Sequence, residues 1–214
     1  MTDQKFNRFS VPLGLLDYVN PILYAVTMLA VIKNIGYQMV IPYNRILFVG
    51  AAISIFFGLI IPTGKVLVGL GVLRFRMPVS LVFCVNTGIL ISGMMLLQYV
   101  SKLRSLPLLA VILLIVLLLF LIYLKTKKMN TVAVLTGAIG YLLIYGSLIT
   151  ISIRKEMTVP IVLYAVAIGL FVMLCGIGIK ADLKNPKVHW VIEISNVLCQ
   201  FLVALATIVL FSAR

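Results

Sequence analysis

Charged residues are scarce in this sequence, and acids are the scarcest of them. Of 214 residues, 11% are charged and 63% are hydrophobic, whereas a soluble domain is about a quarter charged and about half apolar. Only five residues are Asp or Glu, against 18 Lys and Arg. This composition excludes an ordinary soluble domain and indicates a chain that lies mostly within a lipid bilayer.

Residues that bind metals or form disulfides are also few. His189 is the only histidine, and Cys84, Cys175 and Cys199 each lie inside an apolar stretch. Because the cysteines show no paired spacing, we interpret all three as free thiols. A zinc site of His and Cys ligands is excluded by the same counts. We therefore expect no metal and no other cofactor.

Long polar loops are absent as well, and this affects how the net charge of +13 is interpreted. In a soluble protein such an excess of basic residues would suggest a nucleic-acid partner, but no loop here is long enough to form that surface. The basic residues lie in short loops between apolar runs, where they orient the chain and meet anionic lipid headgroups. We expect the lipid bilayer, and no nucleic acid, as a partner.

Seven apolar runs follow one another, each bounded by charge, Pro or Gly. A membrane-spanning helix needs about 20 apolar residues, so the sequence predicts an all-α integral membrane protein. We expect a bundle of about seven transmembrane helices, forming a single domain over residues 1–214 with no soluble domain. The predicted helices are 11–32, 46–61, 78–100, 106–124, 131–153, 159–179 and 188–211.

The segment 65–77 is the uncertain part of this topology. It follows Pro62-Thr63-Gly64, where the second predicted helix ends abruptly, and it is mostly apolar. Because it is too short to cross the bilayer, we predict that it lies at the interface or re-enters the membrane. Arg74 and Arg76 within it are candidates to bind an anionic headgroup or to pair with an acid.

The basic loop residues favour one orientation. Eleven Lys and Arg lie in the N-terminal tail and the loops on its side of the membrane, and seven lie on the opposite side. Lys and Arg are enriched on the cytoplasmic side of membrane proteins. We therefore predict a multi-pass protein of the plasma membrane, with its N-terminus in the cytoplasm and its C-terminus outside.

The predicted helices differ in what they present to their neighbours. The fourth has no polar side chain before Tyr123, so we place it at the periphery, facing lipid. Three others carry small residues at intervals of about four, a spacing that lets helices pack closely. Such faces predict tight packing within the bundle, or alternatively a ligand cavity or contacts with partner proteins. The residues are Gly50, Ser54 and Gly58; Ser80, Cys84, Gly88 and Ser92; and Ala165, Gly169 and Gly176.

Two polar stripes run along the first and last predicted helices, and each contains one of the two acids found inside the apolar runs. A carboxylate within the membrane is costly and commonly functional. Steps of three and four residues keep each stripe on one helix face, which must turn away from lipid. The stripes are Asp17, Asn20, Tyr24 and Thr27 on the first helix, and His189, Glu193, Asn196 and Gln200 on the last.

The first functional hypothesis is transport. If the first and last helices are neighbours, their stripes converge on one cavity that faces the cytoplasm, and the two carboxyls would bind a cation or a proton. Pro21 would free a backbone carbonyl and kink the first helix beside this site. The predicted cavity residues are Asp17, Asn20, Tyr24, His189, Glu193, Asn196 and Gln200. In the structural alternative, Asp17 is interfacial and Glu193 fixes the packing of two helices.

The second hypothesis is a membrane-embedded enzyme, with catalytic residues unassigned. The segment Asn20-Pro21-Ile-Leu resembles the early Lys-Pro segment of the lysoplasmalogenases, small polytopic ether-lipid hydrolases. Segment 195–202, Ser-Asn-Val-Leu-Cys-Gln-Phe-Leu, is similar to the final Tyr-Tyr-x-Ala-Gln helix of that family. The resemblance implies lipid processing. However, Leu59 and Cys175 or Gly176 occupy the positions where that family carries acids, so its activity is not transferred to this chain.

The third hypothesis is a non-catalytic membrane subunit or sensor of a larger complex. The polar loops are short, so such a protein would act through partners. Its small-residue helix faces are suited to contact with partner helices.

Overall fold

The computed structural model describes residues 10–73, 78–102, 105–180 and 186–212, and these residues form helices joined by short turns, with no strand. A single 3-10 turn, Gly36–Gln38, follows the second helix. The helices are α1 (Val11–Asp17), α2 (Val19–Asn34), α3 (Tyr43–Gly69), α4 (Val79–Ser101), α5 (Ser105–Thr126), α6 (Met129–Arg154), α7 (Thr158–Lys180) and α8 (Pro186–Ser212).

The predicted fold class is confirmed. Six helical segments within the described ranges are long and apolar enough to cross a membrane, and α1 with α2 counts as one of them. The apolar helix α5 is not among these six and packs against α6. For all but the second helix, the observed ends lie within two residues of the predicted ones, because Pro, Gly and charge mark the ends of apolar runs.

The first predicted helix is interrupted beside its acid. α1 ends at Asp17, Tyr18 forms a turn, and α2 begins at Val19. The cause is Pro21, which has no N–H to donate to the carbonyl of Asp17 four residues earlier. The interruption lies beside the predicted kink, and it places Asp17 at the junction of α1 and α2.

The second predicted helix is longer than its sequence suggested. Helix α3 passes through Pro62 without ending and continues to Gly69, so the prediction of an end at Ile61 is wrong. The first five residues of segment 65–77 belong to this helix, and the interfacial or re-entrant position of the segment stays a prediction. Proline is tolerated inside membrane helices because neighbouring groups compensate for the lost bond. The Thr63 hydroxyl donates to the Leu59 carbonyl at 2.7 Å, in the turn around Pro62.

Six helices close into a ring, and α5 lies outside it. Around the ring, α2 packs on α3, α3 on α4, α4 on α6, α6 on α7, α7 on α8, and α8 on α2. Helix α5 packs on α6, and Leu114, Leu117 and Leu121 are each more than half exposed. This confirms the peripheral position predicted for the fourth apolar run, and contact with lipid stays a prediction.

The contact between α4 and α6 depends on glycine. A Cβ at Gly93 would lie 2.6 Å from the Gly140 carbonyl oxygen, and a Cβ at Gly140 would lie 2.7 Å from the Leu90 backbone nitrogen. Only glycine allows the two backbones to approach so closely. These contacts fix one side of the ring.

The small-residue faces have two different outcomes. The faces on α3 and α4 pack as predicted, since a Cβ at Gly88 would lie 2.5 Å from the Gly50 carbonyl oxygen. On α7 the prediction of packing inside the bundle is wrong, because Ala165 and Gly169 are exposed and a Cβ at Gly169 would meet no atom within 4 Å. The side-chain environment of Gly176 lies outside the described residues.

Substitution of Gly140 tests the α4–α6 contact. We expect Gly140→Ala to lower the free energy of unfolding by about 1–3 kcal/mol, because the added methyl group meets backbone that has no room to move. Gly146→Ala, two turns further along α6, is the matched control, since its Cβ would meet nothing within 4 Å. Unfolding in mixed detergent micelles measures both. Equal stability of the two variants would contradict the packing described here.

Candidate functional site

Three charged side chains from distant parts of the chain meet in one ion-pair cluster. The Lys65 ammonium lies 2.6 Å from an Asp17 carboxylate oxygen and 3.0 Å from a Glu193 carboxylate oxygen. All three side chains are largely buried, with exposed fractions of 15% for Lys65 and 12% for each acid. We name Asp17, Lys65 and Glu193 the ion-pair cluster.

Local backbone features place each member of the cluster. Asp17 ends α1 at the break that Pro21 causes, and Lys65 lies one turn before the end of α3. Helices α1 and α3 approach closely here, as a Cβ added at Gly14 would lie only 2.9 Å from a Val66 methyl carbon. The extension of α3 beyond Pro62 is therefore what brings the lysine to the two acids.

Asn20 joins the cluster by long hydrogen bonds. Its side-chain nitrogen donates to Asp17 at 3.4 Å and to Glu193 at 3.5 Å. Its side-chain oxygen is buried and accepts no hydrogen bond from any described residue. A buried acceptor without a donor is costly, so this oxygen is available to a ligand that carries an N–H or O–H group.

A cavity of about 290 Å³ adjoins the cluster and is lined by residues of the ring helices. This volume is at the lower end of the range for small-molecule sites, ~300 Å³. Asp17 and Asn20 form part of its wall. The other polar wall residues are Tyr24, Ser54, Asn86, Tyr141, Cys175 and Asn196.

The cavity occupies one half of the bundle. Its wall residues belong to the part of each helix nearest the end where α1 begins and α3 ends, with Tyr24 and Tyr141 the deepest on their helices. Towards the other end, fully buried apolar side chains fill the interior between α2, α4, α6 and α8. These are Met28, Val31, Leu96, Leu148 and Val203.

Aromatic rings line the deep part of the cavity. The Tyr24 and Tyr141 rings are nearly perpendicular at 6.4 Å between centroids, and Tyr141 lies 5.5 Å from Phe171. Tyr24 is 5% exposed, and its hydroxyl makes no hydrogen bond of normal geometry with a described residue. The neighbouring hydroxyls of Ser54 and Ser92 donate instead to the Val85 and Gly88 carbonyls.

The sequence-predicted site residues fall into three groups. Asp17, Asn20, Tyr24 and Asn196 are cavity-wall residues, and Glu193 adjoins them through the ion-pair cluster. Gln200 lies one turn deeper on α8, buried, with its side-chain nitrogen 3.5 Å from the Tyr145 hydroxyl.

The remaining candidates are not part of the cavity described above. His189 is one turn closer to the start of α8 than Glu193 and is not among the described wall residues. Arg74 and Arg76 lie outside the described residues, so the proposed headgroup contacts stay a prediction.

The central residue, Lys65, was assigned from the sequence to a loop or interfacial segment, and its partners were not predicted. One available signal was the apolar run Val66-Leu67-Val68 after it, which continues the hydrophobic pattern past Pro62. Asn86 was not among the predicted cavity residues. In the structure it lines the cavity and donates to the Ala133 carbonyl at 2.7 Å, which links α4 to α6.

No family model matches this chain, and no curated protein or solved structure is significantly similar to it. The resemblance to lysoplasmalogenases therefore rests on the two short segments that suggested it.

The chemistry of the site follows from its charges. With both acids ionised and the lysine protonated, the ion-pair cluster carries one net negative charge. No group of three metal-ligating side chains occurs among the described residues. The site is suited to one additional positive charge, supplied by a proton, an ion or an organic cation.

Removal of the lysine tests the cohesion of the cluster. We expect Lys65→Met to lower the free energy of unfolding by about 3–5 kcal/mol, because it leaves two carboxyls in a largely buried site without their cation. Lys33→Met, at an exposed position of α2, is the control and should change stability little. The triple variant Asp17→Asn/Lys65→Met/Glu193→Gln should recover most of the loss. An unchanged free energy of unfolding in Lys65→Met would contradict the role of Lys65 in holding the cluster together.

Proposed function

We propose that this protein transports a small solute or ion through the cavity between α1–α2 and α8. The observation that carries the proposal is the meeting of Asp17 and Glu193 with Lys65 at the edge of a cavity whose mostly apolar wall carries several polar side chains. Ionisable residues within membrane segments are costly and commonly mark substrate or ion pathways.

The charge of the ion-pair cluster supports a cationic cargo. The lysine compensates only one of the two carboxylates, and both acids retain a small exposed fraction of 12%. Coulombic attraction is stronger in a site of low dielectric constant than in water. A cation or proton that reaches the cavity would therefore be held by the uncompensated charge.

The position of the cavity supports transport rather than a through-going pore. It lies in one half of the bundle, and buried side chains such as Met28 and Leu96 fill the other half. Transporters with alternating access expose a central site to one side of the membrane at a time. The arrangement corresponds to one of the two states that such a cycle requires.

Flux through reconstituted vesicles tests the proposal. Proteoliposomes would be challenged with gradients of protons, sodium, potassium and small organic cations. We expect wild-type protein to carry at least one of them, and Asp17→Asn or Glu193→Gln to reduce that flux by about tenfold or more. Lys33→Gln, an exposed substitution away from the cavity, is the control. Flux that persists unchanged in both acid variants would contradict a role for these carboxyls.

We also propose that the cavity half of the bundle faces the cytoplasm of a cell bounded by a plasma membrane. Seven crossings would put the N-terminus on that side and the C-terminus outside. Lys65 no longer counts as a loop residue, so ten basic residues on the proposed inner side stand against seven on the other. The excess still favours this orientation.

Cysteine labelling in intact cells tests the orientation. In a background where Cys84, Cys175 and Cys199 are replaced by alanine, an impermeant maleimide added outside should label Thr158→Cys and leave Lys128→Cys unlabelled. Both positions are exposed and lie at opposite ends of the bundle. The reverse labelling pattern would show that the chain is inserted the other way round.

A further inference from the structure

We infer that the cavity binds an elongated compound with a primary ammonium group at one end and a hydrogen-bonding group at the other. We also infer that Lys65 occupies the place of that ammonium until the compound binds. This inference rests on the proposed function and names its class of cargo.

The geometry of Lys65 supplies the first part of the argument. Its ammonium contacts Asp17 at 2.6 Å and Glu193 at 3.0 Å, so the two carboxylates are already arranged around a primary ammonium. An ammonium group has three rotatable donors. A ligand ammonium could use two of them on the same carboxylates and the third on the unpartnered Asn20 oxygen.

Lys65 is placed so that it can leave. It lies one turn before the end of α3 at Gly69, and its side chain is 15% exposed. Long lysine side chains near helix ends reach the membrane interface while their stems stay in apolar surroundings. The lysine can therefore swing outward when another cation takes its position, without exposing the acids unpaired.

The far end of the cavity supplies the second, independent part. The Tyr24 hydroxyl is buried and unpartnered among the described residues, and Tyr24 is a cavity-wall residue. Because a buried hydroxyl needs a hydrogen-bond partner, we expect the ligand to place a polar atom beside it. Tyr24 lies seven residues after Asp17, a separation of about 10 Å at the helical rise of 1.5 Å per residue. The Tyr141 and Phe171 rings flank the deep part of the cavity, so the part of the ligand next to its hydrogen-bonding end is apolar or aromatic.

Calorimetry with a matched pair of probes tests the ammonium end. Tyramine carries an ammonium and a phenol at opposite ends of an aromatic body, and tyrosol replaces the ammonium by a neutral hydroxyl. We expect detergent-purified protein to bind tyramine at least about tenfold more tightly than tyrosol. Equal binding of the two probes would show that the carboxylates do not select the ammonium, and would overturn the inference.

Variants of Lys65 test the displacement. Lys65→Met removes the competing cation, so tyramine should bind about tenfold more tightly than it does to wild-type protein. If that variant does not fold, Lys65→Arg serves instead, because a guanidinium holds carboxylates in a bidentate fork and should weaken tyramine binding about tenfold. Lys33→Met should leave the affinity unchanged. Tyramine affinity that is the same in every folded Lys65 variant would overturn the displacement.

Tyr24→Phe tests the far end. Wild-type protein should bind tyramine several-fold more tightly than phenethylamine, which lacks the phenol. Tyr24→Phe should remove most of that difference, because the protein partner of the phenol is gone. An equal preference for tyramine in both proteins would contradict the assignment of Tyr24.

Measuring cation flux together with tyramine binding distinguishes a failure of this inference from a failure of the proposed function. Tyramine binding without flux of any tested cation would leave the site assignment standing and overturn transport. Flux of protons or alkali cations without tyramine binding to wild-type protein or any Lys65 variant would leave transport standing and overturn the ammonium ligand.

Discussion

The ion pairs of Lys65 with Asp17 and Glu193 are the interaction on which the organisation of this bundle depends. They connect α1, α3 and α8. The paired residues Lys65 and Glu193 are 128 residues apart in the sequence. No single one of these charges is stable alone within a bilayer, since an isolated ion there costs several kcal/mol. The ion pairs therefore favour joint assembly of the three helices, which contribute residues to the wall of the cavity.

The apolar pattern predicted the helices well, and the polar pattern predicted part of the site. The helical spacing of the polar stripes indicated that Asp17 and Glu193 face inward. This orientation could be predicted because it depends only on the sequence of each helix. The role of Lys65 was missed because Pro62-Thr63-Gly64 is typical of a helix end in a soluble protein. Within the membrane α3 continues, since helix is the form that satisfies the backbone without water. Close packing at residues such as Gly14 determines which distant helices meet. The spacing of polar residues along one helix does not predict these contacts.

The cavity combines two environments that fit one kind of ligand. Its outer end has the Asp17 carboxylate and the amide of Asn20, with Glu193 adjoining through the ion-pair cluster, and its deep end has the Tyr24 hydroxyl beside aromatic rings. A binding site with a charged end and an apolar body recognises a small amphipathic cation by shape and charge together. The buried side chains in the opposite half of the bundle would have to move for such a ligand to cross.

The central claim is that Lys65 holds two ionised carboxylates at the edge of the cavity. Infrared difference spectroscopy measures this directly, by comparison of the wild-type protein in lipid with Asp17→Asn and Glu193→Gln at neutral pH. The account predicts that each substitution removes the absorption of an ionised carboxylate. It also predicts that Lys65→Met converts at least one of the two acids to the protonated form. Protonated carboxyls at both positions in the wild-type protein would contradict the account.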